Sequence, residues 1–310
     1  MHKQIRYDAA LLVCVAIWSL NFTAVKVGVS ALTPLGFPVV QFALGSLVTV
    51  AIVLKLEGLP RFRRRDLPLL SLTAVCGVTI NQLSFVGAVN LTNASNVALV
   101  VGTVPLWTAL IALVSRQERL TLLHWLALPS GLFGTALIVL GGEHAKAGSF
   151  SLSGEVLALM AALTWSGYTV LIRPLMARYS ALQISAFIMV IGELTLLPFG
   201  LPHVVNQNWP AVTLSGWLAV TFSAVGAVAI TNLLYYWAIA GVGPSRAALY
   251  AYLEPFLGVV FAFLILGEGI TPTQLVGSVI VIVGVMLGRG LRMRKSSDME
   301  REVPVQLCRD

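Results

Sequence analysis

The chain has 310 residues, of which 57% are hydrophobic and 11% are charged, and its mean hydropathy is +0.88. A soluble domain has about a quarter of its residues charged, so this composition excludes one and indicates an integral membrane protein. The net charge is +7, and the three cysteines have no spacing that predicts disulfides.

Ten apolar stretches are long enough to cross the hydrocarbon core as helices, which takes about 20 residues each. Turn formers or charged residues separate them, and the short connections predict that consecutive spans run antiparallel. The expected fold is therefore an all-α membrane protein with ten transmembrane helices. The predicted spans are residues 9–30, 34–54, 67–89, 93–115, 121–141, 152–172, 181–200, 212–239, 246–266 and 272–289.

The second half of the chain repeats the first at an offset of 150 residues. Pro105 and Gly134 recur as Pro255 and Gly284, and Trp18 recurs as Trp165 at a slightly shorter offset. Such a match over a whole half indicates an internal duplication. Further pairs at the same offset are Ala88 with Ala238, Glu118 with Glu268, and Thr121 with Thr271.

Each predicted repeat contains five spans, so equivalent helices cross the membrane in opposite directions. Inverted repeats are typical of secondary transporters, whose substrate site lies near the bilayer midplane between the halves. The alternative is a duplicated scaffold with no transport path. We predict a first five-helix repeat in residues 1–143, a second in 144–292 and a cytoplasmic tail in 293–310.

The basic residues indicate the orientation. All of them except Lys26 and Lys146 lie on one predicted side of the membrane. The positive-inside rule therefore predicts a multi-pass protein of the cell (inner) membrane with both termini in the cytoplasm. The basic run Arg61–Arg65 is interpreted as a contact with lipid headgroups, and no nucleic-acid partner is expected.

A family resemblance is carried by three segments. Residues Trp18–Lys26, with the sequence WSLNFTAVK, resemble the first-helix signature of the EamA branch of the drug/metabolite transporter superfamily. Tyr252–Pro255 followed by Leu266–Glu268 is similar to the ninth-helix signature of that family. Val104–Pro105 with Gln117–Glu118 is similar to its fourth-helix counterpart.

The resemblance covers residues 9–290. It implies a ten-helix inverted repeat that exports small metabolites, such as amino acids or drug-like compounds, across a bacterial inner membrane. The second helix departs from the family pattern, because Gln41 stands before Phe42 where the family often has an Arg.

Two acidic residues lie deep inside predicted spans. Glu193 is about 18 Å into the seventh span and Glu254 about 14 Å into the ninth, at about 1.5 Å per residue. A carboxyl in a low dielectric can load and release a proton as its surroundings alternate between wet and dry. We therefore predict that they couple transport to protons. The alternatives are a carboxyl bonded to the backbone group freed by Pro255, for Glu254, and a protonated acid packed between helices, for Glu193.

Ten residues are predicted to bind the substrate. The third span and its repeat mate both offer amides and aromatic rings, and Trp18, Asn21 and Lys26 share one face of the first span. Lys26 is the only basic residue inside a span and would bind a carboxylate; the alternative is that it snorkels to the headgroups. For the amides and rings, interhelical bonding and core packing are the alternatives. The ten are Trp18, Asn21, Lys26, Asn81, Gln82, Phe85, Trp165, Tyr168, Asn232 and Tyr235.

Proline and glycine positions suggest mechanical roles. Pro105 and Pro255 are predicted to kink the middle of their helices and to serve as gate hinges, with static packing as the alternative. Gly284 and Gly288 form one GxxxG spacing, which is typical of a packing or dimer face. The sequence leaves open whether the protein is a monomer or a homodimer.

Enzyme signatures are missing: the sequence has no HExxH, GxSxG or Walker motif and no metal-ligand cluster. No cofactor, metal or catalytic residue is expected. The function predicted is a secondary transporter that exports small amphipathic or zwitterionic metabolites, with amino acids as the leading class, by alternating access with proton coupling. The alternatives are efflux of lipophilic cations or drugs and, in another class, a membrane-embedded enzyme or a non-transporting scaffold.

Overall fold

A computed structural model describes residues 2–91, 94–118, 120–141, 151–261, 263–264 and 270–289. Within these ranges the regular structure is entirely helical. Eight helices are long and apolar enough to cross a membrane, and they coincide with the first eight predicted spans. They are Gln4–Ala31, Gly36–Leu56, Arg64–Leu91, Val97–Val114, Leu122–Leu140, Leu152–Met176, Ala181–Val205 and Leu214–Val242.

Several spans consist of more than one helical segment. The α-helices are α1 (His2–Ala31), α2 (Gly36–Leu56), α3 (Leu67–Ala74), α4 (Asn81–Leu91), α5 (Ala94–Val101), α6 (Val104–Val114), α7 (Leu122–Leu140), α8 (Leu152–Met176), α9 (Ala181–Val205), α10 (Leu214–Phe222), α11 (Thr231–Val242), α12 (Pro244–Leu249), α13 (Leu253–Phe261) and α14 (Pro272–Arg289). Short polar residues begin several of them. The side chains of Ser151, Ser180 and Thr213 accept hydrogen bonds from backbone N–H groups three residues on, as N-cap residues do.

The last two predicted spans differ from the first eight. The ninth begins as α12, continues through a 3₁₀ turn at Tyr250–Tyr252 and becomes α13, and part of its predicted outer end lies outside the described residues. The tenth corresponds to α14, whose apolar part, Pro272–Gly288, is shorter than the eight long helices. Eight of the ten predicted spans are thus established as long apolar helices.

Two π-helical segments interrupt equivalent spans. Val75–Ile80 joins α3 to α4, and Ser223–Ile230 joins α10 to α11 at the 150-residue offset. Each segment packs against the first two long helices of the other half of the chain: Val75–Ile80 against α8 and α9, and Ser223–Ile230 against α1 and α2.

Glycines make these contacts close. Gly192 of α9 lies against Val78, and Gly45 of α2 lies against Val228, so a Cβ on either glycine would come within 3.0 Å of the valine side chain. The repeat therefore extends to individual packing contacts.

Pro105 and Pro255 lie near the start of a helix, whereas the sequence predicts them in the middle of one. The fourth span breaks at Gly102 and Thr103, and Pro105 lies in the first turn of the new helix α6, where its missing N–H costs nothing. Pro255 likewise follows the 3₁₀ turn and lies near the start of α13. In place of the predicted mid-helix kinks, the structure has an irregular turn just before each proline, at Gly102 and Thr103 in the fourth span and at the 3₁₀ turn Tyr250–Tyr252 in the ninth.

The last helices of the two halves pack antiparallel. Gly134 of α7 faces Gly277 of α14, while Gly284 lies against Ala127 and Gly131. The GxxxG face at Gly284 and Gly288 is thus occupied within the chain rather than by a second copy.

Candidate functional site

Aromatic side chains from three helices meet in the middle of the fold. Trp18 of α1 makes edge-to-face contacts with Trp165 of α8 and Tyr235 of α11, at ring-centroid distances of 5.9 and 5.2 Å. Tyr168 lies 5.2 Å from Trp165, and Tyr236 lies 6.0 Å from Tyr168. We call these five residues the aromatic cluster. Offset and edge-to-face pairs of this kind stabilise one another beyond the apolar area that they bury.

The two tryptophans form the more accessible part of the cluster. Trp18 and Trp165 are half-buried, whereas the three tyrosines are buried. The Trp18 indole donates hydrogen bonds to the Ala227 carbonyl oxygen at 3.1 Å and to the Thr231 hydroxyl at 3.0 Å. These bonds fix the plane of the indole, so its face can serve as a rigid wall.

The tyrosines belong to a polar network. The hydroxyls of Tyr168 and Tyr236 are hydrogen-bonded to each other, and Tyr168 also donates to the Asn232 side-chain oxygen at 3.3 Å. The Asn232 amide reaches the Met189 sulfur at 3.9 Å. Gly77, in the π-helical segment Val75–Ile80, lies directly against the Tyr168 ring, which a Cβ at that position would displace.

Glu254 lies beside the aromatic cluster. Its carboxyl group is within electrostatic range of the Cys14 thiol and the Tyr235 hydroxyl. The Ser19 hydroxyl donates to the Glu254 backbone carbonyl at 3.1 Å, which holds the start of α13 against α1. None of the ion pairs among the described residues includes Glu254. A half-buried carboxyl beside aromatic rings is a favourable environment for a ligand cation.

Asn21 lies one turn further along α1 and is bonded across the fold. Its side-chain oxygen accepts from the Ser223 hydroxyl at 2.6 Å, and Ser223 in turn accepts from the Gln41 amide at 2.7 Å. Gln41 is the residue at which the chain departs from the family pattern. Its amide is therefore engaged with the π-helical segment Ser223–Ile230 rather than directed at a ligand.

Three predicted site residues on α4 are not part of the aromatic cluster. Asn81 donates to the Ala161 carbonyl at 2.9 Å and to the Thr164 hydroxyl at 3.4 Å, and thereby joins α4 to α8. Phe85 packs against a separate apolar group around Ala88 and Val97. Gln82 is half-buried.

The two remaining charged residues predicted for the site are Glu193 of α9 and Lys26 of α1. One carboxyl oxygen of Glu193, Oε2, is buried and has no hydrogen-bond partner among the described residues. A buried polar atom without a hydrogen-bond partner destabilises the folded protein unless the group is protonated, and it is retained where it serves a function. The Lys26 backbone is part of α1, but its side chain lies outside the described part of the structure.

A buried charged group that was not predicted from the sequence lies at the other end of α1. Arg246 of α12 donates to both Asp8 oxygens, at 2.9 and 3.2 Å, and Tyr250 donates to Asp8 at 2.7 Å. The available signal was the four-residue spacing of Arg246, Tyr250 and Glu254, which places a basic, a phenolic and an acidic group along one side of the ninth span.

No group of three or more His, Cys, Asp or Glu residues comes together to hold a metal ion in the ranges that the structure describes. What the described residues do bring near one another are aromatic rings, a carboxyl and several hydroxyls.

Comparison with known proteins shows which protein family this chain matches. The profile of the EamA-like transporter family matches the chain twice, over residues 5–140 and 152–288. A probable terminal-alkyne amino-acid exporter of Streptantibioticus cattleyicolor is 30% identical over 282 residues, which cover 90% of this chain and 91% of that protein. An uncharacterized transporter of Archaeoglobus fulgidus is 28% identical, covering 87% of this chain and 93% of the relative. One crystal structure superposes with a TM-score of 0.75 at 19% identity, covering 92% of this chain and 94% of that one, and supports the fold alone.

Proposed function

We propose that this chain, which belongs to the EamA-like transporter family, is a secondary active exporter of small amphipathic or zwitterionic metabolites, with amino acids as the leading class. The observation that carries the proposal is that Glu254 is held against α1 at Ser19, next to Trp18 of the aromatic cluster, with its carboxyl in electrostatic contact with the Tyr235 hydroxyl. The resemblance to a probable amino-acid exporter supports the same substrate class.

The proposed architecture is two inverted five-helix repeats that cross the membrane ten times, with the boundaries 1–143 and 144–292. The antiparallel packing of α7 on α14, which are equivalent helices, supports the inversion. The basic residues support an inner-membrane protein with both termini in the cytoplasm. In such a protein the halves alternate between two arrangements around a central site.

In the proposed site, each part of a zwitterion has a partner of suitable chemistry. The Glu254 carboxyl and the faces of Trp18 and Trp165 would bind the ammonium group through charge and cation–π attraction. Lys26 would bind the carboxylate. The aromatic cluster would contact the apolar part of the substrate. A highly anionic substrate does not suit this site, since Lys26 is the only basic residue that lies away from the end of a predicted span.

The proposed energy source is the proton gradient. Glu254 and Glu193 are the candidates to carry the proton, because both are carboxyls inside predicted spans and neither takes part in an ion pair among the described residues. The breaks before Pro105 and Pro255 are the proposed hinges.

A second candidate function is the efflux of lipophilic cations. The same carboxyl and rings favour it, because a bulky organic cation needs an anionic group and apolar walls but no partner for a carboxylate. Lys26 distinguishes the two functions, because only a substrate with a carboxylate needs it as a partner.

The test uses purified protein in proteoliposomes. A panel of amino acids and of lipophilic cations is screened for counterflow, and each active amino acid is compared with its amide. Lys26→Ala should weaken binding of the acid by about tenfold or more, because losing one partner of a desolvated charge pair typically costs a few kcal/mol. The amide should be nearly unaffected, and Lys55→Ala, at the end of α2, serves as the control. Equal losses for acid and amide would favour the lipophilic-cation function, and no flux of either class would reject transport of both.

A further inference from the structure

A buried ion pair lies at one end of the bundle. Asp8 lies in the first turns of α1 and Arg246 in α12, and their side chains are 3% and 4% exposed. Tyr250 adds a hydrogen bond to the same carboxylate. The three side chains belong to the first and ninth spans, which come from different halves of the chain.

The burial of this pair distinguishes it from the other two ion pairs among the described residues. Arg173 with Glu118 and Arg178 with Asp66 lie at the same end, but their arginine side chains are 29% and 45% exposed. A solvated arginine that loses its partner is rehydrated at little cost. A buried one is left as an uncompensated charge, which strongly favours any arrangement that exposes it to water.

The segment that carries Arg246 is suited to move. α12 is only six residues long and begins after Gly243, whose φ of 85° lies in the left-handed region that favours glycine. It ends at the 3₁₀ turn Tyr250–Tyr252. A short helix between a glycine turn and a 3₁₀ turn has, at each end, a point where its direction can change.

The same segment leads directly to the proposed substrate site. Glu254 follows Tyr250 by one turn, and the Ser19 hydroxyl of α1 donates to its backbone carbonyl. On α1, Asp8, Val15 and Ser19 lie on one face at helical spacing. The first and ninth spans are therefore joined at two levels, at Asp8 near the end of the bundle and at Ser19 in its middle.

We propose that Asp8, Arg246 and Tyr250 form a latch that closes the route between the predicted cytoplasmic side and the aromatic cluster, and that the latch must open once in each transport cycle. The role of the latch in a transport cycle rests on the proposed function. Whether the latch opens can be tested without any substrate. An exporter must admit its substrate from the cytoplasm, so the rate of opening at this end would limit loading.

The experiment measures access to Val15, which is 1% exposed and lies two turns beyond Asp8. Val15→Cys is introduced into protein whose three native cysteines have been replaced, and a membrane-impermeant maleimide is added to inside-out vesicles. Asp8→Asn should raise the labelling rate by about tenfold or more, because the buried Arg246 then favours the open arrangement. Tyr250→Phe, which removes one hydrogen bond, should raise it by a smaller factor.

The matched control is Asp66→Asn, which breaks the Arg178 pair at the same end without touching α1 or α12. Its labelling rate should equal that of the parent protein. The exchanged pair Asp8→Arg with Arg246→Asp should bring the rate back toward the parent value. If Asp8→Asn does not fold, Tyr250→Phe carries the test alone. Unchanged labelling in the variants, or equal acceleration by Asp66→Asn, would overturn the latch, whereas failure of transport in proteoliposomes would overturn only the function that it serves.

Discussion

Gly134 faces Gly277 where α7 crosses α14, and a Cβ on Gly134 would lie 2.8 Å from the Gly277 carbonyl oxygen. The nearby atoms belong largely to the backbone of α14, which cannot rotate away as a flexible side chain would. These two helices end the two halves of the chain, so their close approach joins the repeats directly.

Gly134→Ala should therefore destabilise the protein by about 1–3 kcal/mol, because overpacking forces the two backbones apart. The control is Gly167→Ala in α8, where a Cβ would meet no atom within 4 Å. That change should be neutral or stabilise by about 0.5–1 kcal/mol, since alanine is the better helix former. Thermal unfolding in detergent measures both, and equal midpoints for the two variants would contradict the packing argument.

Trp18→Phe should weaken substrate binding while the protein remains folded. Phenylalanine keeps an aromatic face but loses the hydrogen bonds to Ala227 and Thr231, so the ring is no longer held in one orientation. The loss of about 1 kcal/mol corresponds to a roughly fivefold rise in KM. Trp125→Phe, at an exposed position of α7, should leave KM unchanged. An unaltered KM in both variants would remove Trp18 from the site.

Glu254→Gln tests proton coupling. If Glu254 carries the proton, the variant should lose uptake driven by a pH gradient but keep substrate exchange, because exchange requires no change of protonation. Glu193→Gln is the parallel variant. Full gradient-driven transport by Glu254→Gln alone would assign the role to Glu193, and full transport by both variants would end the proton hypothesis.

The orientation is tested with single cysteines in protein that lacks its native ones. Ser149→Cys and Asn206→Cys should react with an impermeant thiol reagent added to intact cells, whereas Arg63→Cys should not. The reason is the distribution of basic residues under the positive-inside rule. Labelling of Arg63→Cys from outside would reverse the predicted orientation.

The buried carboxyl of Glu118 should make the stability of the folded protein depend on pH. Burial raises the pKa of its carboxyl, opposed by the hydrogen bond from the Ser245 backbone N–H and by the positive charge of Arg173. Its contribution to stability is full below the ordinary glutamate pKa of about 4.3 and is lost as the pH rises through the higher folded value, because only the unfolded chain ionises readily in that interval. The unfolding temperature should thus fall with pH over this window, and Glu118→Gln should flatten the fall. Glu57→Gln, at an exposed position, should not change the slope.

The spans could be predicted because a membrane helix is defined by length and apolar composition, which the sequence states directly. The family followed from local motifs around Trp18 and Glu254. The meeting of Trp18 with Trp165 was suggested by their repeat relationship, although the distances between their rings depend on how α1 and α8 pack.

Other features depend on partners distant in sequence. Arg246 was interpreted only as one of many cytoplasmic charges, and its partner Asp8 lies 238 residues away. Asn81 illustrates a second limit, because an amide inside a span suits a cavity and a helix contact equally well. The side chain's bond to the Ala161 carbonyl depends on the position of α8 beside α4.

A π-helical turn contains one residue more than the α-helical turn that it replaces, because its hydrogen bonds reach five residues rather than four. Val75–Ile80 and Ser223–Ile230 carry this extra residue at corresponding places in the two halves. Two independent insertions at matching sites would be a coincidence, so the irregular turn indicates a feature of the ancestral unit that predates its duplication. Both copies have since kept it.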